Sequence, residues 1–218
     1  MAKFELSSSL VSKDFLIDFV QNTLSLEGKP VCKETVNAVF EDLEADVNEK
    51  EKKSIINAFN AFSFILNLLE NKEELDENKL KDLHEIIMDG FGNGGLYRNV
   101  DISIKGSNHT PPSHIKVYDR MKKYFDTINQ DGVELYEQIA FSHLQLAKIH
   151  PFLDGNGRLA RLVLNYELMS NGFAPVIITA DERDKYHVAL EQFKVEKEIE
   201  PFKAYLKELE LKSIKLYY

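Results

Sequence analysis

A twelve-residue segment in the C-terminal half of the chain brings together side chains that handle phosphate. It reads His150-Pro151-Phe152-Leu153-Asp154-Gly155-Asn156-Gly157-Arg158-Leu159-Ala160-Arg161. A glycine-flanked loop that enters a helix presents free backbone N–H groups and the positive end of the helix dipole, which together hold an anion. Arg158 and Arg161, three residues apart, lie on neighbouring parts of one helical face and can reach further phosphate oxygens. The spacing therefore predicts a phosphate site.

Two further side chains add chemistry to this segment. Asp154 offers hard oxygen ligands beside the phosphates and suits Mg²⁺, which usually binds one or two carboxylates plus phosphate oxygens. His150 precedes the loop, and a neutral imidazole takes a proton from an attacking hydroxyl near pH 7. A lone histidine or a single Gly-Asn-Gly turn is more often structural, so the prediction depends on their coincidence in one short window.

The elements that must position this segment are mostly helices. Apolar residues recur at helical spacing, as in Ile55, Phe59, Phe62 and Leu66. This periodicity predicts a mainly α fold with helices over residues 11–27, 31–46, 49–71, 77–89, 115–130, 133–149, 156–171, 182–195 and 199–214. The charged, Asn-rich stretch 71–78 is the best linker candidate, and it divides an N-terminal helical region, residues 1–76, from a longer part, residues 77–212.

One stretch departs from the helical pattern. Between Tyr97 and Val117, the apolar residues Val100, Ile102 and Ile104 alternate with polar ones and are followed by turn residues. Alternation followed by a turn predicts a short β-hairpin.

Composition limits the partners and the compartment. The 218 residues carry a net charge of −9 without a cluster of Lys and Arg, which argues against nucleic-acid binding. Cys32 is the only cysteine, so an internal disulfide or a cysteine-based metal site is excluded. The apolar stretches are short, and neither a signal peptide nor a membrane span is evident. We expect a cytoplasmic protein.

The twelve-residue segment resembles the signature of the Fic family, His-x-Phe-x-(Asp/Glu)-Gly-Asn-Gly-Arg-x-x-Arg, at every fixed position. The resemblance continues through Leu83-His84, Gly95-Leu96-Tyr97-Arg98, residues 106–112 and Asp184-Lys185-Tyr186. It implies a Fic-type helical domain that transfers AMP from ATP to a hydroxyl of a protein, either a separate target or the chain itself.

The resemblance also implies a role for each matching residue. His150 would be the base that deprotonates the target hydroxyl, and Asp154 would hold Mg²⁺. Gly155, Asn156 and Gly157 would cradle the α- and β-phosphates of ATP. Arg158 and Arg161 would bind the β- and γ-phosphates.

Outside the signature, the resemblance implies a target-binding flap and a nucleoside pocket. The predicted hairpin matches the flap, with Ser103, Ile104, Lys105 and Gly106 as the target-binding residues. Tyr186 resembles a tyrosine that lies near the adenine in family members. Where relatives usually have an Asn near the nucleoside and a Gly-Asp turn, this chain has residues 193–198, Phe-Lys-Val-Glu-Lys-Glu.

The end of the first predicted helix suggests a built-in brake. Thr23 and Glu27 share one helical face just before Gly28, and a carboxylate there gains nothing from the helix dipole. This segment resembles the (Ser/Thr)-x-x-x-Glu-(Gly/Asn) inhibitory motif of some Fic proteins. The resemblance implies that Glu27 pairs with Arg161, which should bind the γ-phosphate, and so inhibits the enzyme. In some relatives this glutamate also supports removal of AMP.

Two alternatives stay open. One is a Fic-type transferase of another group, such as UMP, phosphocholine or the γ-phosphate, although Gly157 stands where relatives of the kinase variant typically carry a lysine. The other is a largely inactive nucleotide-binding module. An exposed inhibitory helix would also allow regulation by self-association into a homo-oligomer.

Overall fold

A computed structural model describes residues 10–128 and 134–218, and nine α-helices account for most of these residues. They are α1 (Lys13–Leu26), α2 (Lys33–Phe40), α3 (Glu49–Glu70), α4 (Glu77–Met88), α5 (Val117–Ile128), α6 (Leu135–Ile149), α7 (Asn156–Ser170), α8 (Arg183–Glu196) and α9 (Glu200–Tyr217). Short 3₁₀ turns at His114–Lys116 and Ala180–Glu182 precede α5 and α8. The predicted mainly α fold is confirmed.

Side-chain caps fix where several helices begin. Ser12, Asn48 and Asp76 each accept a hydrogen bond from the backbone N–H three residues on, at the starts of α1, α3 and α4. Such caps satisfy backbone donors that the first turn of a helix leaves without partners.

The helices bury their apolar faces in two clusters. The first joins the faces of α1 to α5 with one side of α7, and it includes Phe15, Phe59, Phe62 and Phe152, all fully buried. The second lies among α6, α7, α8 and α9, around Tyr186 and Phe202. Helix α7 contributes to both clusters, Leu159 to Val163 mainly to the first and Leu164 and Leu168 to the second.

Helix α1 is also fixed by polar contacts to the C-terminal part of the chain. The hydroxyl of Tyr217 in α9 donates to Asp18 Oδ2 at 2.8 Å. Asn22 Oδ1 accepts from the backbone N–H of Ala180 at 3.0 Å. These contacts join α1 to α9 and to the 3₁₀ turn that precedes α8.

The predicted helices all exist, with differences at their ends. Helix α2 ends at Phe40, not at 46, because Asp42 adopts a left-handed backbone (φ 56°) and the Leu43 N–H turns back to the Ala38 carbonyl. Helix α5 begins at Val117 and α9 runs on to Tyr217. The predicted ends at residues 130 and 133 lie outside the described residues.

The predicted β-hairpin between Tyr97 and Val117 is wrong in its strand pairing, because residues 97–117 contain no strand. A tight turn is present, in which the Ser107 N–H donates to the Ile104 carbonyl at 3.1 Å. The returning arm cannot complete a ladder, since Pro111 and Pro112 have no N–H and the Asn108 N–H bonds a side chain of α8. The segment is an extended loop with a turn at its tip.

Helices α1 to α3 share the first cluster with α4, α5 and α7. The division of the chain at residue 76 stays a prediction. Residues 1–9 of the predicted N-terminal region lie outside the described residues. Within the described ranges, no helix is long and apolar enough to cross a bilayer.

Candidate active site

The loop that joins α6 to α7 begins with His150 in a left-handed conformation, φ 51° and ψ 63°. Its backbone N–H still bonds the Leu146 carbonyl at 3.0 Å, so this residue closes the last turn of α6. A non-glycine residue in this region costs roughly 1 kcal/mol or more, and it persists only where neighbours over-determine it.

Hydrogen bonds from Arg98 help to hold His150 in this left-handed conformation. Its buried guanidinium donates from Nε to the His150 carbonyl at 3.0 Å and from Nη1 to the Val100 carbonyl at 3.0 Å, and Nη2 contacts the Pro112 carbonyl. The Arg98 N–H donates to the Pro151 carbonyl at 2.9 Å. One arginine thus ties the loop between α6 and α7 to both arms of the 97–113 loop.

His84 of α4 supports the same loop from the other side. Its Nδ1 accepts from the Gly95 N–H at 3.0 Å, so Nε2 carries the proton and donates to the Asp154 carbonyl at 2.9 Å. The ring stacks on Phe152 with centroids 3.6 Å apart. Burial lowers the pKa of His84, which agrees with a neutral ring.

Gly155 can only be a glycine here. Its φ is 77°, and a Cβ would approach Met88 Sδ to 3.0 Å and His84 Nε2 to 3.1 Å. Because Gly155 has no side chain, α7 starts without a side-chain cap, in contrast to α1, α3 and α4. The N-terminal turn of α7 is therefore suited to bind an anion.

Asn156 and Gly157 form the first turn of α7. The Asn156 side chain accepts from the Phe152 N–H and donates to the Phe152 carbonyl, both at 2.9 Å. It is committed to holding the loop, which leaves its backbone N–H for a ligand. A Cβ on Gly157 would overlap Glu27 Oε1, so a carboxylate from α1 lies directly against this turn.

Arg158 is a buried cation with poor partners. Its Nη1 and Nη2 lie 3.5 Å from the Ile87 carbonyl and from Met88 Sδ, and Nη2 lies 3.7 Å from Asp154 Oδ1. Its buried Nε has no hydrogen-bond partner among the described residues. Burial lowers its pKa. A guanidinium left so incompletely satisfied is suited to receive an anionic ligand.

Arg161 is fully engaged with the end of α1. Its Nε donates to Thr23 Oγ1 at 2.7 Å, and Nη2 donates to the Thr23 carbonyl at 3.0 Å and to Glu27 Oε1 at 2.6 Å. Although burial raises the pKa of Glu27, the Arg161 charge and hydrogen bond, with Arg158, lower it overall. Glu27 is therefore an ionised, tightly held carboxylate.

The charge state of His150 is set by its surroundings. Burial, and after it the charge of Lys194, lowers its pKa to about 4, although a hydrogen bond with the Ala147 backbone and the Glu27 carboxylate act in the opposite direction. The imidazole is thus neutral at pH 7 and able to accept a proton. Lys194 itself is buried, and burial lowers its pKa despite the Glu191 carboxylate 3.4 Å away.

Tyr186 lies in the second apolar cluster. Its hydroxyl is 2.9 Å from His143 Nε2, whose Nδ1 lies 3.1 Å from the Ala160 carbonyl. Burial lowers the pKa of His143 to about 3, so its ring is neutral; Nδ1 then donates to Ala160 and the Tyr186 hydroxyl donates to Nε2. Tyr186 is 3% exposed and His143 is fully buried. Burial raises the pKa of Tyr186 to about 12, although the Arg161 charge acts in the opposite direction. The assignment of Tyr186 to the nucleoside pocket stays a prediction.

The turn formed by Ser103, Ile104, Lys105 and Gly106 is largely exposed, with its backbone reversed at Gly106 (φ 81°). Glu191 of α8 holds its C-terminal side. One carboxylate oxygen contacts Ser107 Oγ and the other accepts from the Asn108 N–H at 3.0 Å. The turn therefore extends from a fixed base.

Asp154 fits a cation that takes most of its ligands from a nucleotide. Its side chain is 66% exposed, and Oδ1 accepts from the Gly155 N–H at 2.6 Å. In the described ranges, no three His, Cys, Asp or Glu side chains form a ready metal site. A single carboxylate beside a phosphate site is the donor set that Mg²⁺ commonly uses.

Sequence reasoning missed the roles of Arg98, His84, Glu191 and Lys194. Arg98 and His84 stood in the wider resemblance without a function. Lys194 lies in the stretch that departs from the family. Glu191 carried no sequence signal, since a glutamate on the surface of a helix is unremarkable.

Comparisons with known proteins place this geometry in a family. The sequence profile of the Fic/DOC family matches residues 74–168. Protein adenylyltransferase fic-1 from Caenorhabditis elegans is 30% identical over 182 residues, which cover 79% of this chain and 35% of that protein. The chain spans less than half the length of the curated relatives it matches.

Solved structures share the fold. Fic-1 from Caenorhabditis elegans superposes with a TM-score of 0.85 at 24% identity, covering 97% of this chain and 66% of that one. A Fic-domain signaling protein from Bacteroides thetaiotaomicron gives 0.84 at 24% identity, covering 93% and 85%. Through residues 74–168, which contain the whole twelve-residue segment, the chain belongs to the Fic/DOC family.

Proposed function

We propose that the chain is a protein adenylyltransferase that moves AMP from ATP to a Ser, Thr or Tyr hydroxyl of a target protein or of itself. The observation that carries this proposal is the junction of α6 and α7, where a neutral histidine, an uncapped helix N-terminus and two buried arginines meet. The names of the curated relatives support the same activity.

The triphosphate of ATP fits the first turn of α7. The N–H groups of Asn156 and Gly157 face the α- and β-phosphates, and the Gly155 N–H joins them once Asp154 Oδ1, which accepts from it, turns away. The incompletely satisfied Arg158 adds positive charge toward the β-phosphate. Arg161 takes the γ-phosphate once Glu27 leaves it. Tyr186 supports this region from the core, since its hydroxyl is bonded to His143 and cannot face an adenine without breaking that contact.

His150 acts as the base. The target hydroxyl oxygen attacks the α-phosphorus, its proton passes to His150, and the bond between the α-phosphorus and the bridging oxygen breaks to release pyrophosphate. Arg98 keeps the imidazole in place through the His150 carbonyl. Since ATP is anionic, its phosphates raise the pKa of His150 from the value in the free protein and make it a better base.

Asp154 would hold Mg²⁺ beside the α- and β-phosphates. There the ion would supply positive charge that stabilises the leaving pyrophosphate. The Asp154 carboxylate is exposed, and to turn toward the nucleotide it gives up the hydrogen bond from the Gly155 N–H and the 3.7 Å contact with Arg158.

Glu27 acts as the brake. Its carboxylate occupies both the guanidinium of Arg161 and the space at Gly157, which are the two features that a γ-phosphate needs. ATP then binds without the geometry for transfer. The turn from Ser103 to Gly106 is the proposed contact with an extended segment of the target.

The test uses α-labelled ATP in a cell lysate and with the chain alone. Wild type, Glu27→Gly, and Glu27→Gly with His150→Ala are compared, and Glu208→Gln, an exposed surface change, is the matched control. We expect strong labelling with Glu27→Gly, none with the double variant, and wild-type levels with the control.

Mass spectrometry identifies the transferred group. A gain of one AMP agrees with the proposal, whereas a gain of UMP, phosphocholine or phosphate would replace it with another transfer on the same fold. If Glu27→Gly binds nucleotide but transfers nothing, the chain is a nucleotide-binding module. Incubation of a labelled target with wild type tests removal of AMP by Glu27.

A further inference from the structure

A second cleft opens at the end of the α6–α7 pair that lies away from the catalytic loop. Its volume is about 850 Å³, within the range of roughly 300–1,000 Å³ that is usual for small-molecule sites. Each of these two antiparallel helices presents one face to it, at spacings i, i+3, i+4 and i+7: Leu135, Gln138, Ile139 and Ser142 from α6, and Val163, Tyr166, Glu167 and Ser170 from α7. Glu167 is eleven residues along α7 from Asn156, or about 16 Å.

A buried carboxyl lies at the floor of this cleft. Ser142 Oγ donates to Glu167 Oε1 at 2.5 Å, and the Tyr124 hydroxyl lies 2.7 Å from Ser142 Oγ. Since the single Ser142 proton goes to Glu167, Tyr124 must donate to Ser142. When the carboxyl is ionised these hydrogen bonds run toward it and support the anion, but burial outweighs them and favours the protonated form until a positive charge arrives.

The other carboxyl oxygen, Glu167 Oε2, is buried and has no hydrogen-bond partner among the described residues. An unsatisfied buried acceptor costs about 1–3 kcal/mol. Neither the fold nor the proposed AMP transfer uses this group. Glu167 lines the cleft, so a small rotation of its side chain would bring this buried oxygen to a donor from outside the chain.

The charges around the cleft favour a cation. Among the described residues that line it, Glu74, Asp76, Glu77, Asp126 and Glu167 are acidic and Lys122 is basic. Asp76 caps α4 and Glu77 pairs with Lys81 at 2.6 Å, so both are already committed. Glu74 and Asp126 remain to attract a positive charge.

The walls suit an aliphatic chain. Leu75, Leu80, Phe125, Ile139 and Val163 contribute apolar surface, and the aromatic ring of Tyr166 can interact with an ammonium group. We propose that this cleft binds a small aliphatic amine, whose protonated amino group donates to Glu167 Oε2. Burial raises the pKa of Glu167 to about 8, so the arriving ammonium would also favour release of the proton that the carboxyl holds.

The test is calorimetric titration of the full chain with 1,4-diaminobutane, spermidine and agmatine, with 1,4-butanediol as the uncharged counterpart. We expect saturable one-to-one binding of at least one amine and none of the diol. Glu167→Gln keeps the shape of the side chain but removes its charge, and it should weaken binding about tenfold or more. Glu208→Gln, which removes an exposed carboxylate elsewhere, should leave binding unchanged.

Ser170→Lys is a second variant at an exposed position, three residues from Glu167. Its ammonium can reach the carboxyl from within the chain, so it should abolish amine binding even if Glu167→Gln fails to fold. Absence of saturable amine binding to wild type, or equal affinity in wild type and Ser170→Lys, would overturn the proposal. Nucleotide binding at the other end of α7, measured in parallel, is independent of either result.

Discussion

Graded weakening of the contact between α1 and Arg161 should release adenylyl transfer in proportion to the interaction removed. Three substitutions dissect it. Glu27→Gly removes the carboxylate, Glu27→Gln removes its charge but keeps an acceptor, and Thr23→Val removes the hydroxyl that accepts from Arg161 Nε at 2.7 Å. Arg161 is unchanged in all three, so its capacity to bind a phosphate is kept.

The expected sizes follow from the contacts. A hydrogen bond to a charged partner contributes about 1.5–3 kcal/mol, so Glu27→Gly should shift the balance between the inhibited and competent states by roughly 10- to 100-fold. Glu27→Gln retains a weaker bond and should give roughly 5- to 30-fold. Thr23→Val should give about 5-fold, below this range, because the lost acceptor is neutral and the Thr23 carbonyl still accepts from Arg161 Nη2.

The assay is the initial rate of label transfer from α-labelled ATP at a fixed high concentration, with Glu208→Gln as the control. Rates should rank Glu27→Gly, Glu27→Gln, Thr23→Val, then wild type. Equal rates for all four proteins would refute the reasoning. An active Thr23→Val beside an inactive Glu27→Gly would show that the hydroxyl, and not the carboxylate, is the inhibitory group.

Three further predictions concern protonation and support of the site. In the Glu27→Gly background, kcat/KM for ATP, which reports the free enzyme, should stay nearly constant from pH 8 down to about 6 and fall as pH approaches the value near 4 at which His150 becomes protonated; a steep fall of kcat/KM near pH 6.5 would contradict the lowered pKa. Arg98→Lys in that background should lower kcat by about 10²-fold, because an ammonium cannot bridge the carbonyls of His150, Val100 and Pro112. Steady-state kinetics measures this, with folding checked by circular dichroism, and an unchanged kcat would show that Arg98 does not position His150. The folded-state pKa of Glu167, about 8, lies above its unfolded value, so the folded state binds more protons and stability is lost as pH rises between about 4.5 and 8. The free energy of unfolding of Glu167→Gln, measured in urea, should therefore match that of wild type at pH 5 and exceed it by roughly 2 to 4 kcal/mol at pH 8.5. If the difference between the two proteins is the same at both pH values, burial does not perturb the pKa of this carboxyl.

The helices could be predicted because the sequence patterns that mark a helix lie within it or directly beside it. Apolar spacing marked the faces of α3 and α6, and Gly28 marked the end of α1. The turn that begins α7, the proposed phosphate site, could be predicted for the same reason, since Gly155 and Gly157 lie at the start of that helix. Features of this kind depend on residues a few positions apart.

The features that could not be predicted depend on distant partners. Arg98 bonds backbone carbonyls at residues 100, 112 and 150, and a carbonyl leaves no trace in the sequence. The hairpin prediction failed for the same reason. Alternation of Val100, Ile102 and Ile104 says nothing about the opposite arm, whose Asn108 N–H is taken by Glu191, 83 positions away.

The Glu27 carboxylate against Gly157 is in effect a ligand tethered to its own receptor. Its local concentration is fixed by the geometry of α1 and exceeds the order of mM that short flexible linkers give. Dilution cannot release it, and a rise in ATP competes only weakly. The tether itself is anchored by Tyr217 through Asp18 and by Ala180 through Asn22. A partner that moves the C-terminal helix would therefore lower this concentration and switch the enzyme on without touching either the carboxylate or the nucleotide.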